Sequence, residues 1–280
     1  MNVLVFGKTG QVARELQRQS NVTALSRAQA DLSDPSACAA AIQHYHPHAV
    51  INAAAYTAVD TAETDEAQAT RINGDAPGAM ARACRDLNIP LVHISTDYVF
   101  DGTGDTPWKP TDPTAPQNAY GRSKHAGEQA IRASGCAHVI LRTSWVFSAH
   151  GNNFVKTMLR LSQSRDALSV VNDQIGGPTP ADGIAMSCLS LVQALQSGQG
   201  GGTYHYAGQP STSWECFARE TFLLANRAVT VSGIPTRDYP TPAQRPLNSR
   251  LDCTDLTRDF GITPPDWRAA LAQVIKELTP

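Results

Sequence analysis

Three observations predict an α/β fold, a doubly wound parallel sheet followed by a smaller C-terminal α/β lobe. Apolar runs of four to six residues recur through the first half of the chain. Helical patterns separate these runs, and a glycine turn joins the first run directly to the first helical pattern. Asn2 to Phe6 reads as a buried strand, Gly7 to Gly10 as a turn, and the helix that follows reaches about Gln19. Val22 to Leu25 is the second strand. Asp34 and Pro35 open the next helix, because Asp can cap it and Pro suits its first turn. Ala49 to Asn52 is the third strand, Asp65 to Leu87 is helical, and Pro90 to Ser95 is the fourth strand. A helix from about Tyr120 to Ser134 and the strand His138 to Leu141 continue the rhythm. Crossovers between such parallel strands are expected to be right-handed.

Beyond Trp145 the rhythm degrades. Asn152 to Ser162 reads as a helix, Val170 to Pro180 as a turn-rich hook and Asp182 to Gln196 as a helix. Gly198 to Gly202 and Gly208 to Ser213 read as breaks, and Trp214 to Ala225 and Pro264 to Lys276 as helices. Pro235 to Pro246 holds four prolines, too many for a sheet interior. Residues 1–145 are therefore expected to form one domain and residues 146–280 mainly a second lobe, with an approximate and interleaved boundary.

The 280 residues suffice for a sizeable core without disulfides. A net charge of −2, from 23 basic and 25 acidic residues, excludes a polybasic nucleic-acid binder. No stretch offers the ~18 apolar residues that cross a bilayer. The most apolar one, Ala181 to Leu195, carries Asp182. The expectation is a cytoplasmic protein with neither nucleic acid nor membrane as partner. The six cysteines form no CxxC or Cys/His knuckle, so reduced, mostly buried thiols are expected rather than a zinc or iron–sulfur centre. His44, His46 and His48 lack a neighbouring carboxylate or thiol and read as a wet loop.

Gly7-Lys8-Thr9-Gly10-Gln11-Val12-Ala13 lies between the first strand and the first helix. Gly7 permits a sharp turn, Gly10 leaves room for a pyrophosphate at the helix N-terminus, and Ala13 allows close helix–strand packing. This context points to a Rossmann-type dinucleotide site. The missing GK[ST] ending disfavours ATP hydrolysis. After the second strand stand Ser26 and Arg27 rather than an acid, so Arg27 can pair with a 2′-phosphate, which tilts the coenzyme towards NADPH without excluding NADH. Asp31 and Leu32 read as contacts on the adenine side.

Tyr120 and Lys124 are four residues apart and share a helix face. Thr96 ends the strand Ile94-Ser95-Thr96, where ligands of such sheets bind. Carbonyl reduction needs a proton on oxygen when hydride reaches carbon. A phenol titrates near ~10, and a neighbouring ammonium is expected to lower that value towards neutrality. Thr96 can orient the carbonyl oxygen, and Lys124 can hold the nicotinamide ribose. Trp145 offers a flat face for a hexose, and Asn248 and Arg250 can reach a nucleotide diphosphate from the proline-rich hook.

With FGKTGQV (6–12), NAAAYTAVDTAE (52–63), HISTDYVFDG (93–102), YGRSKHAGE (120–128), LRTSWVF (141–147), NNF (152–154), DQIGGPT (173–179) and RPLNSRLD (245–252), the sequence resembles the extended short-chain dehydrogenase/reductase superfamily. Within it, the chain resembles the dTDP-4-dehydrorhamnose reductase family nearly end to end. The resemblance implies NAD(P)H-dependent reduction of a dTDP-4-dehydro-β-L-rhamnose at C4, giving dTDP-L-rhamnose for lipopolysaccharide or O-antigen synthesis. It implies a catalytic triad of Thr96, Tyr120 and Lys124, with the proton from Tyr120. Gly10, Gln11, Val12, Asp31, Leu32, Ala53, Ala54 and Ala55 would line the dinucleotide, and Tyr56 would lie near the nicotinamide end. Thr96, Asp97 and Trp145 would contact the sugar. The resemblance also admits a homodimer and a weak structural Mg²⁺ site at Glu15, with no catalytic metal. Asp182 and Glu277 fall in regions where further ligands of that site would lie, although Asp182 is shorter than the expected glutamate. Two other readings share the motifs: a nucleotide-sugar epimerase of the same superfamily and a non-catalytic dinucleotide-binding regulatory subunit. Asp97-Tyr98 in place of an Asp-Glu pair argues against a dehydratase.

Overall fold

Strand β1 (Val3–Phe6) is buried along its whole length, and its alternate side chains serve two separate cores. Val3 and Val5 face Leu16, Ile184 and Leu191, whereas Leu4 and Phe6 face Ile42, Met80 and Ile140. A strand covered on both faces must be apolar throughout, which is why no polar alternation interrupts it. The computed structural model describes residues 2–279. In it β1 joins β2 (Thr23–Leu25), β3 (Ala49–Asn52), β4 (Leu91–Thr96), β5 (His138–Thr143) and the strand Gly202–His205 in one six-stranded sheet. The order is Gly202–His205, β5, β4, β3, β1, β2, and every neighbouring pair is parallel. The chain reverses its direction across the sheet between β1 and β3, and such a switch point opens a crevice at the carboxyl ends of the two strands.

Helices α1 (Gln11–Gln19) and α2 (Pro35–Tyr45) cover opposite faces. Asp34 caps α2 by accepting from Ser36 and Ala37 N–H. The helical stretch expected over Asp65 to Leu87 is divided into Glu66–Thr70, a π-helical turn Arg71–Asp75 and Ala76–Asp86. Pro77 enters directly after the π turn, where its missing N–H is accommodated.

Segments beyond residue 145 interleave with the first sheet. Helix Ala181–Gln196 returns to lie against α1, and strand Gly202–His205 extends the first sheet beside β5. Its four residues follow a glycine run and gave no periodic signal, while the long apolar helix before it needs a large face on which to bury. The second lobe is built from what remains. Ala167–Val171 pairs with Thr230–Ile234, and short strands 175–176, 212–213 and 248–249 form a three-stranded sheet. Phe147, Phe217 and Trp267 fill its core. Helix Trp267–Leu278, capped by the Asp266 side chain, closes this lobe, whereas Thr254–Phe260 packs back on the first sheet through Leu256 and Phe260 beside Tyr204. All six cysteines are free, and only Cys216 is exposed. Among the described residues no helix is long and apolar enough to cross a membrane.

Candidate active site

The turn after β1 forms one wall of the switch-point crevice. Gly7 has φ +105°, a conformation that L side chains rarely adopt, and a Cβ there would stand 3.3 Å from Ala53 O. Gly10 begins α1 without a side-chain cap, so the first-turn N–H groups of the helix are open to an anion. Val12 is buried beneath them, while the Gln11 side chain reaches into the second lobe, accepting from Ser148 and Asn153. On the other wall, Ala53 N–H donates to Phe6 O and Ala54 N–H to Asn52 Oδ1. Ala53, Ala54, Ala55 and Tyr56 are half-buried and line the crevice edge. The Asn73 side chain bonds both backbone groups of Tyr56 and also donates to Ser123 Oγ, joining this wall to the helix Ala119–Ala133. The open helix end, the left-handed Gly7 and the close approach at Ala53 fit a dinucleotide pyrophosphate. Beyond β2, Arg27 is 76% exposed and pairs with Asp31 at 3.0 Å, with Leu32 buried beside them. The Ser33 backbone N–H and the Arg27 guanidinium hold the Asp31 carboxyl below the usual range.

Helix Ala119–Ala133 begins at Asn118, whose side chain accepts from Gly121 N–H at 2.7 Å. Tyr120, Lys124 and Glu128 follow at successive turns on one face. On the adjoining face, with Ser123, Gly127 lets the helix approach the π turn, since a Cβ there would fall 2.1 Å from Asn73 O. Thr96, at the carboxyl end of β4, accepts from Tyr98 N–H and donates to Asp97 Oδ1 at 3.2 Å. The structure brings Thr96, Tyr120 and Asp97 together. The Tyr120 hydroxyl lies close to that of Thr96, and its ring packs edge-on against Tyr98 with centroids 5.5 Å apart. Asp97 is buried, its Oδ2 has no partner, and Ser249 of the second lobe lies beside it. Burial pushes this carboxyl up to about 6.

The expected lowering of the Tyr120 phenol by Lys124 does not occur. Burial instead pushes Tyr120 up to about 12. The Lys124 Nζ donates to Ile94 O at 2.6 Å and lies 3.2 Å from His93 Nε2. Burial lowers Lys124 to about 8, with the Glu128 carboxylate opposing it.

Glu128, which the sequence reading passed over, anchors the helix. It accepts from Ser95 Oγ at 2.6 Å, from Arg142 at 2.8 and 2.7 Å, and from Arg132 at 2.8 Å. Burial opposes its ionisation, yet Arg142, Ser95 and Arg132 outweigh burial and hold it at about 2. The available signal was Arg142 within the apolar strand β5, since a charge buried in a sheet demands a partner.

On the substrate side, Trp145 has φ +49° and stacks on Trp214 with centroids 3.6 Å apart and planes 13° off parallel. One indole face is therefore covered by the second lobe. The Asn248 amide donates to Thr103 O and Thr106 O and accepts from Arg250, so it holds the hook rather than facing open space. Arg250 Nη1 bonds Asn248 Oδ1 at 3.1 Å and leaves its other nitrogens outside that bond. Arg245 crosses between the lobes to Asp60 at 2.8 Å. Glu15 is buried with Arg18 on one oxygen at 2.7 Å and His150 near the other at 3.3 Å. Among the described residues no three His, Cys, Asp or Glu side chains converge as metal ligands. His44, His46 and His48 are exposed.

The RmlD substrate binding domain family matches residues 1–279. A dTDP-4-dehydrorhamnose reductase of Burkholderia thailandensis is 43% identical over 296 residues, covering 99% of each chain. The crystal structure of a dTDP-4-dehydrorhamnose reductase from Clostridium acetobutylicum superposes with a TM-score of 0.94 at 35% identity, covering 100% of both chains. That of the Bacillus anthracis dTDP-4-dehydrorhamnose reductase in complex with NADP superposes with a TM-score of 0.93 at 34% identity and covers 99% of each.

Proposed function

This chain belongs to the RmlD substrate binding domain family, that of the dTDP-4-dehydrorhamnose reductases, and we propose that it reduces the C4 carbonyl of dTDP-4-dehydro-β-L-rhamnose to dTDP-L-rhamnose with NADPH or NADH. The observation that carries this reading is the Thr96–Tyr120 pair at the end of β4, beside a crevice whose Gly7 turn and open helix end suit a dinucleotide. The bound coenzyme supplies hydride to the carbonyl carbon. The open N–H groups of α1 receive its pyrophosphate, Arg27 reaches a 2′-phosphate, and Ala53 to Tyr56 flank the nicotinamide half.

Thr96 and Tyr120 direct two hydroxyls towards the position of the carbonyl oxygen. A phenol held near 12 is fully protonated at neutral pH, so Tyr120 arrives as an acid with its proton in place. Lys124 lies one turn along the same face and receives the ribose or compensates the phenolate once the proton has left. Asp97, with an oxygen free of partners, accepts from a sugar hydroxyl. Trp145, backed by Trp214, presents its remaining surface to the hexose, and Arg250 reaches the diphosphate. No step uses a metal, and at Glu15 the Arg18 guanidinium already neutralises the carboxylate.

The test is coenzyme oxidation with enzymatically prepared dTDP-4-dehydro-β-L-rhamnose and identification of the product. One coenzyme oxidised per dTDP-L-rhamnose formed is expected. Conversion of a sugar nucleotide without net coenzyme oxidation would assign an epimerase instead, and no conversion would remove the enzymatic reading.

A further inference from the structure

Asn52, His93 and Lys124 form a row of side chains between the coenzyme-lining wall and the helix Ala119–Ala133, and they are 1%, 0% and 2% exposed. Asn52 Nδ2 lies 3.1 Å from His93 Nδ1, and His93 Nε2 lies 3.2 Å from Lys124 Nζ. The backbone fixes the donor and acceptor roles along this row. Ala54 N–H can only donate, and it meets Asn52 Oδ1 at 3.2 Å. Turning the amide over would set two donors against each other, so Asn52 presents its NH₂ to His93. Nδ1 must therefore accept. A neutral imidazole carries one N–H, which then sits on Nε2 and can only donate. Burial by itself disfavours the charged imidazole and keeps His93 neutral, well below its ordinary value. The group facing Nε2–H is Lys124 Nζ. An ammonium has no lone pair with which to accept, whereas an amine has one and still donates to Ile94 O.

We propose that Lys124 rests as a neutral amine in the uncomplexed protein, and that His93, its tautomer set by Asn52, is the positioning residue that holds it so. The surrounding titratable groups are Glu128 and Tyr120 on the helix of Lys124 and His138 on β5. Glu128 favours an ammonium, but its own charge is already matched by Arg142 and Arg132. Burial of Lys124 acts in the same direction as the hydrogen-bond count. On the reductase reading, on which only this consequence rests, Tyr120 gives its proton to the carbonyl oxygen and Lys124 takes up the one solvent proton that the reduction consumes, leaving an ammonium beside the phenolate until that proton is returned to Tyr120. The row links that uptake to the segment lining the dinucleotide.

Nuclear magnetic resonance of the full chain without ligand tests this directly. Long-range ¹H–¹⁵N spectra of ¹⁵N-histidine protein should show His93 protonated at Nε2 and bare at Nδ1. Among the five lysines, the ¹³Cε signal of Lys124, assigned by its loss in Lys124→Arg, should titrate below the other four. In Asn52→Asp, a carboxylate can accept from both Ala54 N–H and His93 Nδ1–H. The tautomer should then reverse and the Lys124 midpoint rise by about one unit, a tenfold change. In Asn52→Leu, which adds no charge, the preference for Nε2–H should weaken. A His93 protonated at Nδ1 in the unmodified protein, or a Lys124 that titrates with the surface lysines, would overturn the proposal. Neither readout needs substrate, so failure of the reductase assay would leave this result standing, and the reverse.

Discussion

One face of the helix Ala119–Ala133 buries charge in two opposite ways. At Glu128 both carboxylate oxygens have partners, with a two-point contact from Arg142, a hydroxyl from Ser95 and a further contact from Arg132. The carboxyl is held ionised at about 2. Two turns towards the helix start, the groups around Tyr120 are under-partnered. Asp97 has an oxygen without a partner and sits at about 6, and burial holds Tyr120, beside the Thr96 hydroxyl, at about 12. The first arrangement fixes the helix against β4 and β5. The second leaves hydrogen-bonding capacity that a ligand can take up, and groups whose protonation departs from the ordinary are the ones available for chemistry. Stability and reactivity are thus separated along a single helix.

The sharpest way to break this comparison is Tyr120→Phe. Removing the proton donor should lower kcat by about 10²–10⁴-fold. Only a hydroxyl beside Thr96 is lost, so unfolding free energy should change by no more than about 1 kcal/mol. Steady-state coenzyme oxidation and denaturant unfolding measure the two sides. A large stability loss with near-normal turnover would make Tyr120 part of the foundation rather than the site.

The next effect reads both ends from the pH dependence of unfolding. Glu128 lies below its unfolded value, so its contribution is present above about 4.5 and lost as pH falls towards 2, amounting to about 3 kcal/mol. Asp97 lies above its unfolded value, so its contribution is present below about 3.8 and lost as pH rises through about 6, again about 3 kcal/mol. Glu128→Gln should therefore destabilise the protein at pH ~7 by about 3–5 kcal/mol, because Arg142 remains buried without its counter-charge. Asp97→Asn should leave stability at neutral pH unchanged or raised while activity drops. Equal losses of stability in the two variants would erase the distinction between the ends.

How much of this was legible in the sequence follows the same division. Residues whose role depends on local spacing could be read directly. Gly7 and Gly10 flank a strand–helix junction, and Tyr120 and Lys124 share a helix face by the helical repeat alone. Roles set by long-range pairing could not. Glu128 is defined by Arg142, fourteen residues on and in a strand, and Asn52 by His93, forty-one residues away. Lys124 shares a helix face with Tyr120, yet its amine meets partners that spacing does not indicate. Helical spacing sets the direction of a side chain, whereas Ile94 O and His93 decide where its amine rests. Strand Gly202–His205 escaped for a related reason: four residues carry too little periodicity, and its identity comes from β5 beside it.

Arg27 gives the smallest effect and tests whether the contrast between anchored and open charge extends to the coenzyme end. Its guanidinium is 76% exposed and paired to Asp31 at 3.0 Å, and exposed pairs of this kind contribute only about 0–1 kcal/mol. Arg27→Ala should therefore leave stability nearly unchanged. The pair is loose enough to exchange for a phosphate, because a mobile side chain with a solvated partner gives up little on switching. A hydrogen bond from a charged donor is worth about 1.5–3 kcal/mol before solvent screening, so KM for NADPH should rise by roughly tenfold while KM for NADH changes little. Equal changes for the two coenzymes would assign Arg27 to the Asp31 turn alone. The choice between coenzymes would then rest with the backbone of the crevice and not with a placed charge.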